Sequence, residues 1–364
     1  MAAAKKRKRA TIIDVARKAR VSTKTVSHVI NDKPGVGDET RARVTRIIEE
    51  MGYHPNIGAR SLGGRATNCV GVTLSAAPES VPLSEDLFVH LSTALFRAFG
   101  RRGDYICFDI NPYSSAAGMD YARGLWEQLY RACVVMGPLA VDDPTIRRIH
   151  EWGEPYVVFG RLDGFPECSC ATVDYEEGAY ASTRHLVERG HKRIALLAAL
   201  SGYQPGVERV RGYQRALADA GIAYDERLVR FVAFPAWDTT AQVQELLGDA
   251  SVSALIDCSS TEDGPALREG AARAGHTLGA DVEIVTWSYS AGAAVLREAC
   301  AQLCLPTVDA AMSGVEELAQ WCHGGRREPI HLVRQPVLVD PVPNVETTRA
   351  RVFDAGLASP MTAG

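Results

Sequence analysis

The sequence has no long hydrophobic segment. No run approaches the ~18 apolar residues that a helix needs to cross a bilayer. The basic stretch at residues 5–9 has the charge of a signal peptide's start, but no apolar stretch follows it. We therefore expect a protein of the cytoplasm that has no membrane partner.

The common motifs of metal binding and catalysis are absent too. The nine cysteines include no Cys-x-x-Cys pair and several lie in apolar runs such as 106–108, which predicts buried thiols. Cys300 and Cys304 are spaced to share a helix face, but only 322–323 would complete a zinc site, and we expect none. Residues 288–292 lack the first glycine of a nucleophile elbow, and there is no P-loop. The sequence therefore predicts neither an enzyme nor a bound cofactor.

The net charge of −4 is distributed unevenly along the 364 residues. Residues 1–65 carry 15 Lys and Arg against 6 Asp and Glu, whereas the rest carry 25 against 38. This asymmetry indicates a small module that binds a polyanion and is attached to an acidic body. The length predicts two or three domains.

Residues 11–31 have the pattern of two short helices joined by a tight turn. Thr11 is placed to cap the first helix with Asp14 as its capping partner, and Ser22 to cap the second. The second helix begins with exposed polar residues, ahead of an apolar spacing at 26, 29 and 30. This pattern is typical of a helix-turn-helix, whose second helix lies in the major groove of DNA.

A third helix is predicted from about Asp38 to Met51, with Gly52 as its end. The three helices together give only a small core. The apolar residues at helical spacing are predicted to form it: Val15, Ala16, Val26, Val29, Val44, Ile47, Ile48 and Met51.

From residue 69 onward, short apolar runs alternate with amphipathic helical stretches. The runs are at 70–74, 105–110, 132–136, 156–159, 194–200, 229–234, 252–257 and 282–287. The helical stretches are at 86–100, 119–131, 143–152, 178–190, 207–220, 239–248 and 265–275. Such alternation predicts parallel sheets with crossover helices, in two similar lobes that divide near 161–172. The tail, 305–325 and then 330–343, is expected to cross back between the lobes.

Several motifs carry a resemblance to a known family. In the first 65 residues they are Ile13-Asp14-Val15-Ala16, Val21-Ser22-x-x-Thr25-Val26-Ser27-x-Val29-x-Asn31, Thr40-Arg41-x-x-Val44 and Gly52-Tyr53-x-Pro55-Asn56-x-x-Ala59-x-x-Leu62. They resemble the headpiece and hinge of the LacI/GalR family of bacterial transcriptional regulators. Motifs around Val173-Asp174, His185-Leu186, Gly190-His191 and Arg209-x-x-Gly212-Tyr213 are similar to the family's effector domain, which itself resembles periplasmic sugar-binding proteins.

The resemblance implies an α/β fold class with two parts. An N-terminal all-α helix-turn-helix headpiece and hinge helix come first, followed by a two-lobed periplasmic-binding-protein-like body with parallel sheets. The predicted domains are a basic disordered arm 1–10, the helix-turn-helix domain 11–55, the hinge helix and linker 56–68, the effector-binding and dimerisation body 69–343, and a C-terminal tail 344–364. Within the body, lobe 1 is predicted at about 69–161 and 305–330, and lobe 2 at about 172–300.

The predicted DNA-binding residues fall into two groups. Thr23, Lys24 and His28 occupy the base-reading positions of the family, and they also lie on the exposed face of the second helix. The phosphate-binding group is predicted to be Thr11, Ser22, Thr25 and Asn31.

A hinge helix is implied at residues 56–62, folding when two subunits meet on DNA. Its predicted DNA-binding residues are Asn56, Ala59, Arg60 and Leu62. Leu62 is expected to wedge between base steps in the minor groove and kink the duplex. Because Gly58, Gly63 and Gly64 favour the helix poorly, the segment is predicted to be only marginally ordered.

The effector site is predicted between the lobes. Arg209 matches the family arginine that binds polar groups of the ligand. The other candidates are Ser75 at the end of the first body strand, the aromatic residues Phe234 and Trp237, and Ser260. Two ligand-binding carboxylates of the family are missing, because the chain has Cys258-Ser259-Ser260 and Trp287-Ser288-Tyr289 at those places. An anionic ligand and a degenerate pocket both remain open.

The predicted function is a transcriptional regulator, more often a repressor in this family. We expect a homodimer on a palindromic operator of double-stranded DNA, controlled by a sugar, a sugar derivative or another small polar metabolite. Since residues 344–364 show no heptad repeat, a dimer is expected rather than a tetramer. The alternative is a regulator whose degenerate pocket is effector-independent or controlled by a protein partner.

Overall fold

The computed structural model of the chain divides into two units, Met1–Thr67 and Asn68–Gly364. It describes residues 10–30, 32–53, 67–75, 85–109, 114–115, 118–199, 201–232, 239–259, 264–288, 300–324 and 328–340. The helices are α1 Ile12–Ala19, α2 Thr23–Ile30, α3 Asp38–Met51, α4 Glu85–Ala98, α5 Arg123–Trp126, α6 Pro144–Trp152, α7 Tyr175–Glu188, α8 Gln204–Asp219, α9 Thr240–Leu247, α10 Gly264–Arg273 and α11 Thr307–Cys322. The strands are β1 Cys69–Leu74, β2 Tyr105–Asp109, β3 Ser114–Ser115, β4 Gly118–Met119, β5 Cys133–Met136, β6 Tyr156–Val158, β7 Cys170–Val173, β8 Ile194–Ala199, β9 Val229–Val232, β10 Ala254–Asp257, β11 Glu283–Ser288, β12 Ala301–Cys304, β13 His331–Arg334 and β14 Val337–Val339.

The described residues of the first unit form three helices whose ends follow local signals. The backbone N–H of Asp14 donates to Thr11 Oγ1 at 3.3 Å and that of Thr11 to Asp14 Oδ2 at 3.0 Å, which is the capping box predicted for α1. α3 ends at Gly52, which has the left-handed φ of +56° that favours glycine. Val15, Val26 and Val44 are fully buried in the small core. The helices and the core that were predicted within residues 11–51 are confirmed.

The second unit contains two six-stranded sheets within the described residues. The first has the strand order β13-β7-β6-β5-β1-β2 and is parallel throughout. The second has the order β14-β12-β11-β10-β8-β9 and is parallel except for the antiparallel pair of β12 and β14. Separate apolar clusters cover both faces of each sheet. Burial on both faces explains why the central strands are near-continuous apolar runs.

The chain crosses between the two lobes at three places. It leaves the first sheet after β7, returns from β12 to α11 in the first lobe, and crosses again between β13 and β14. The sequence placed the division near 161–172, whereas β7 keeps the chain in the first sheet as far as Val173. Four strands, β7, β12, β13 and β14, were not predicted from the sequence.

Two predictions in the body are wrong. The helix expected at 119–131 is only the four-residue α5, because Gln128 adopts a left-handed φ of +55° and Tyr130 folds back so that its buried ring packs against Gly124. Cys107 was expected to be buried, but it is exposed because β2 is the edge strand of its sheet. The other eight cysteines are buried or half-buried thiols.

The described residues include neither a membrane-spanning helix nor a metal-binding cluster. None of their helices is long and apolar enough to cross a membrane. Among these same residues, no group of three or more His, Cys, Asp and Glu side chains is arranged to hold a metal ion.

Candidate DNA-binding surface and effector site

The turn between α1 and α2 is fixed by local hydrogen bonds. The backbone N–H of Val21 donates to the carbonyl of Ala16 at 3.1 Å, and Arg20 adopts a left-handed φ of +54°. Ser22 Oγ accepts from the backbone N–H of Thr25 at 3.0 Å and lies 2.9 Å from Thr25 Oγ1. The predicted cap of the second helix is therefore present, and it sets where α2 begins.

Helix α2 presents two different faces. Val26 and Val29 are buried in the core of the first unit. Thr23 and Lys24 are exposed and His28 is half-buried. The three residues predicted to read bases thus lie on the side of α2 that faces away from the core. The opposite side of the helix packs into the core.

The predicted phosphate-binding residues also have roles within the headpiece. The hydroxyl of Thr11 donates to Asp14 Oδ2 at 2.7 Å, while Ser22 and Thr25 bond one another at the start of α2. Their capping interactions hold the N-terminal ends of α1 and α2, and helix N-termini commonly bind phosphates. Asn31 lies outside the described residues, as do the predicted hinge residues Asn56, Ala59, Arg60 and Leu62.

Two ion pairs that the sequence pattern did not reveal fix α3. Lys18 Nζ lies 2.8 Å from Glu50 Oε2, joining α1 to α3, and this contact lowers the pKa of Glu50. Arg41 Nη1 lies 2.8 Å from Asp32 Oδ1, and its other nitrogen donates to the Lys33 carbonyl at 2.8 Å. These contacts tie the loop after α2 to α3.

Arg209 is fully buried in the second lobe. It lies on α8, and its guanidinium carbon is 5.1 Å from the ring centres of both Tyr175 and Trp287. Trp287 is itself held, because its Nε1 donates to Ser182 Oγ at 3.1 Å. Arginine is attracted to aromatic faces, so these rings fix the position of its head group. Neither ring was predicted to contact Arg209; the aromatic residue within the apolar run 282–287 was the available signal.

Arg209 also lies close to the carboxyl end of β10. Burial raises the pKa of the Cys258 thiol there, and the positive charge of Arg209 partly opposes that rise. Ser259, next along the chain, donates from its backbone N–H and its hydroxyl to Asp257 Oδ1, at 2.9 and 2.6 Å. Ser288, at the end of β11, is buried. The arginine therefore lies near the carboxyl ends of β-strands, where open parallel sheets bind ligands.

Ser75 follows β1 in the first lobe. Its hydroxyl oxygen is buried and lies 3.1 Å from the carbonyl oxygens of both Met136 and Pro138. The hydroxyl proton is thus committed to the backbone of lobe 1, which leaves only its lone pairs for a ligand. The other predicted effector residues, Phe234, Trp237 and Ser260, lie outside the described residues.

Three family descriptions match successive parts of the chain. Residues 11–56 match "Bacterial regulatory proteins, lacI family", residues 77–248 match "Periplasmic binding proteins and sugar binding domain of LacI family", and residues 183–340 match "Periplasmic binding protein-like domain". The transcriptional regulator CelR of Thermobifida fusca is 32% identical over 339 residues, which cover 92% of this chain and 98% of CelR. The chain belongs to the LacI family. The regulator GalR of Escherichia coli K12 is also 32% identical, over 68% of this chain and 71% of GalR.

Solved structures of the family have the same fold. A CelR–cellobiose complex, 30% identical, matches with a TM-score of 0.63 over 92% of this chain and 99% of that one. A lac repressor dimer bound to operator and an anti-inducer, 22% identical, matches with a TM-score of 0.71 over 92% and 98%. The predicted fold class, family and regulatory function are thereby confirmed: this is a helix-turn-helix transcriptional regulator. Its individual DNA and effector contacts stay predictions.

Proposed function

We propose that this protein is a homodimeric repressor that reads a palindromic operator with helix α2. The observation that carries the proposal is the arrangement of α2, whose buried Val26 and Val29 hold Thr23, Lys24 and His28 outward. A lysine can donate to O6 and N7 of guanine, a histidine can donate to the same edge, and the threonine methyl can contact thymine. Thr11, Ser22, Thr25 and Asn31 position the headpiece on phosphates without reading sequence.

The hinge segment is proposed to complete the DNA interface. Asn56, Ala59 and Arg60 would lie along the minor groove at the centre of the operator, with Leu62 inserted between base steps. Pairing of two hinges requires two subunits, so this part of the interface depends on dimerisation.

The dimer contact in lobe 1 is proposed to use the apolar face of α4 and β2. Phe88, Phe96 and Phe108 are 40–59% exposed, and the rings of Phe88 and Phe108 lie 5.5 Å apart. Aromatic side chains that are exposed together on an edge strand and its neighbouring helix are typical of an interface. We expect Phe96→Glu to shift the chain from dimer to monomer in sedimentation velocity, whereas Glu substituted at the exposed Trp152 of α6 should leave a dimer. A dimeric Phe96→Glu protein would contradict this assignment.

The effector is proposed to be a saccharide or a derivative of one, bound between the lobes at Arg209. The support is that Arg209 is held by two aromatic rings at the carboxyl ends of the strands, and that the CelR relative has been solved with cellobiose. Ser75, Phe234, Trp237 and Ser260 are the further candidates. No catalysed reaction is proposed, because the site needs only to bind a ligand with different affinity in two conformations.

A second candidate function is a regulator that answers to no small ligand. It is favoured by serines 260 and 288, which stand where the family has carboxylates. The described Ser288 is buried, and Ser259, next to Ser260 in the chain, is bonded to Asp257. A thermal-shift screen of cellobiose, monosaccharides, sugar phosphates and purines distinguishes the candidates. A ligand at about 100 times its Kd adds ~2.7 kcal/mol to the free energy of unfolding, which raises Tm visibly. No shift with any of these compounds would favour the second candidate.

The DNA-binding proposal is tested by selecting operators from random DNA with the full chain and then footprinting the selected site. Lys24→Ala should weaken binding by ~1–3 kcal/mol and relax the preference at one base in each half-site. Lys192→Ala removes an exposed charge from the second unit and should change neither property. Absence of a footprint at moderate salt would refute the proposal. An unchanged base preference in Lys24→Ala would refute the role of that residue.

A further inference from the structure

Backbone hydrogen bonds join the two lobes at the start of α8. Ala140, in the loop after β5 of the first lobe, forms an antiparallel bridge with Tyr203 of the second. The N–H of Gln204 donates to the Leu139 carbonyl at 2.9 Å, and the N–H of Val141 donates to the Gly202 carbonyl at 3.3 Å. The first N–H groups of a helix lack partners within it, so the first lobe satisfies a donor that α8 leaves open.

One turn further along α8, a buried ion pair joins the lobes. Arg161 follows β6 of the first lobe, and its Nε and Nη2 lie 2.9 and 3.1 Å from the two carboxylate oxygens of Glu208. Nη2 also lies 3.1 Å from Asp174, where the chain crosses over. A two-point contact between guanidinium and carboxylate is strong and fixes the relative orientation of the two groups.

A third contact lies on the same face of α8. Arg211 Nη1 is 2.5 Å from Asp163 Oδ2, in the same loop of the first lobe as Arg161. Residues 204, 208 and 211 are spaced by four and three, which places them along one side of the helix. Arg211 Nε also bonds Glu176 of α7 within the second lobe, and Arg215 shares that carboxylate at 2.7 Å.

We propose that these contacts form an interlobe clasp. The clasp holds the two lobes of one chain together without the help of a ligand. The clasp consists of Arg161, Asp163, Glu208, Arg211 and the backbone bridge between 139–141 and 202–204. Arg209 is the neighbour of Glu208 in the chain, so a ligand at Arg209 would act on the helix that carries the clasp. The proposal concerns closure of the lobes and is independent of DNA binding.

The clasp depends on the pairing of its charges. The Glu208 side chain is 1% exposed, and burial raises its pKa although the contact with Arg161 lowers it. If Arg161 loses its charge, a carboxylate is left buried without its guanidinium, which is strongly unfavourable. Separation of the lobes would let water reach Glu208 and relieve that cost. If both charges are removed, no unpaired carboxylate is left buried, and the lobes gain nothing by separating.

Hydrogen exchange of the full chain, measured by mass spectrometry, tests the clasp without a ligand. Arg161→Gln should speed exchange in peptides 137–143 and 201–207 by about tenfold or more, equivalent to ~1.4 kcal/mol, and leave the β10 amides unchanged. Adding Glu208→Gln to that variant should restore protection to within about twofold of the original. Arg230→Gln is the control, because it removes an ion pair with Glu245 inside the second lobe, and it should leave both peptides protected.

Several results would overturn the proposal. Unchanged exchange of both peptides in Arg161→Gln would show that the ion pair does not hold the lobes. Equal loss of protection in the single and double variants would show that Arg161 has a merely structural role. If Arg161→Gln fails to fold, seen as rapid exchange of β10, the double variant decides: a folded protein with protected peptides supports the clasp, and an unfolded one refutes it.

Discussion

Gly212 of α8 lies in close contact with the backbone of α7. A Cβ atom built at this position would lie 2.0 Å from the carbonyl oxygen of Glu176, 2.9 Å from its carbonyl carbon and 3.0 Å from Ala179 Cβ. The obstructing atoms belong mainly to the backbone of α7, so no rotation of a side chain relieves the overlap. Gly212 therefore sets the position of α8, which carries both Arg209 and Glu208.

The substitution Gly212→Ala has two opposing effects on the free energy of unfolding. Within a helix, Ala is favoured over Gly by ~1 kcal/mol. Against this, α7 and α8 would have to separate by more than ~1 Å to restore an ordinary contact, and overpacking of this kind costs ~1–3 kcal/mol or more. Because a rigid carbonyl is involved, we expect the upper part of that range and a net destabilisation of about 2 kcal/mol.

Calorimetry of the full chain measures this balance. We expect Gly212→Ala to lower the Tm of the second unit by several degrees, since 1 kcal/mol corresponds to ~2–4 °C in a domain of this size class. Ala and Gly substituted in turn at Gln214, an exposed position on the same helix, report helix propensity alone and should favour Ala. If Gly212→Ala is as stable as the original chain, or more stable, the close packing of α7 against α8 is refuted.

Two further predictions concern the hinge and the pH dependence of stability. Leu62→Ala should weaken binding to a selected operator at least about tenfold more than binding to random DNA. The reason is that only in the specific complex do added contacts offset the energy cost of kinking the duplex. Equal losses on both DNAs would contradict the insertion of Leu62. Burial raises the pKa of Glu283, but hydrogen bonds from His191 and Arg189 outweigh it and lower the pKa below the usual 4.5. This carboxylate thus stabilises the fold above pH 4.5 and loses that contribution as the pH falls through its folded-state pKa. Denaturant titrations should show Glu283→Gln less stable near neutral pH, with the difference from the original chain closing in acid; a difference that does not change with pH would refute it.

The headpiece could be predicted closely from the sequence because its signals are local. Thr11 and Asp14 are three residues apart, and so are Ser22 and Thr25, so the residues that end each helix are visible in the sequence. Gly52 marks the end of α3 in the same way. The ion pair between Lys18 and Glu50 spans 32 residues and has no such signal.

The body was predicted less completely because its remaining features depend on distant partners. The eight longer apolar runs correspond to strands, whereas short strands such as β7 are defined by pairing with β13 more than 150 residues away. In the same way Glu208 is an unremarkable helix charge in the sequence, and its burial against Arg161 depends on how the lobes meet. Arg209 was singled out through its motif; the rings of Tyr175 and Trp287 that hold it come from α7 and β11.

Glu208 and Arg209 place two buried charges side by side on one helix, and stability alone does not account for this. A buried ion pair is often no better for stability than apolar residues of the same volume, because desolvation offsets the attraction between the charges. What such a pair does impose is one geometry, since the lobes cannot shift partway without exposing or unpairing Glu208. A favoured geometry that can be left only through a costly intermediate is one requirement of a two-state element. If an effector binds at Arg209 as proposed, α8 is therefore the element through which it would act on the relative position of the lobes.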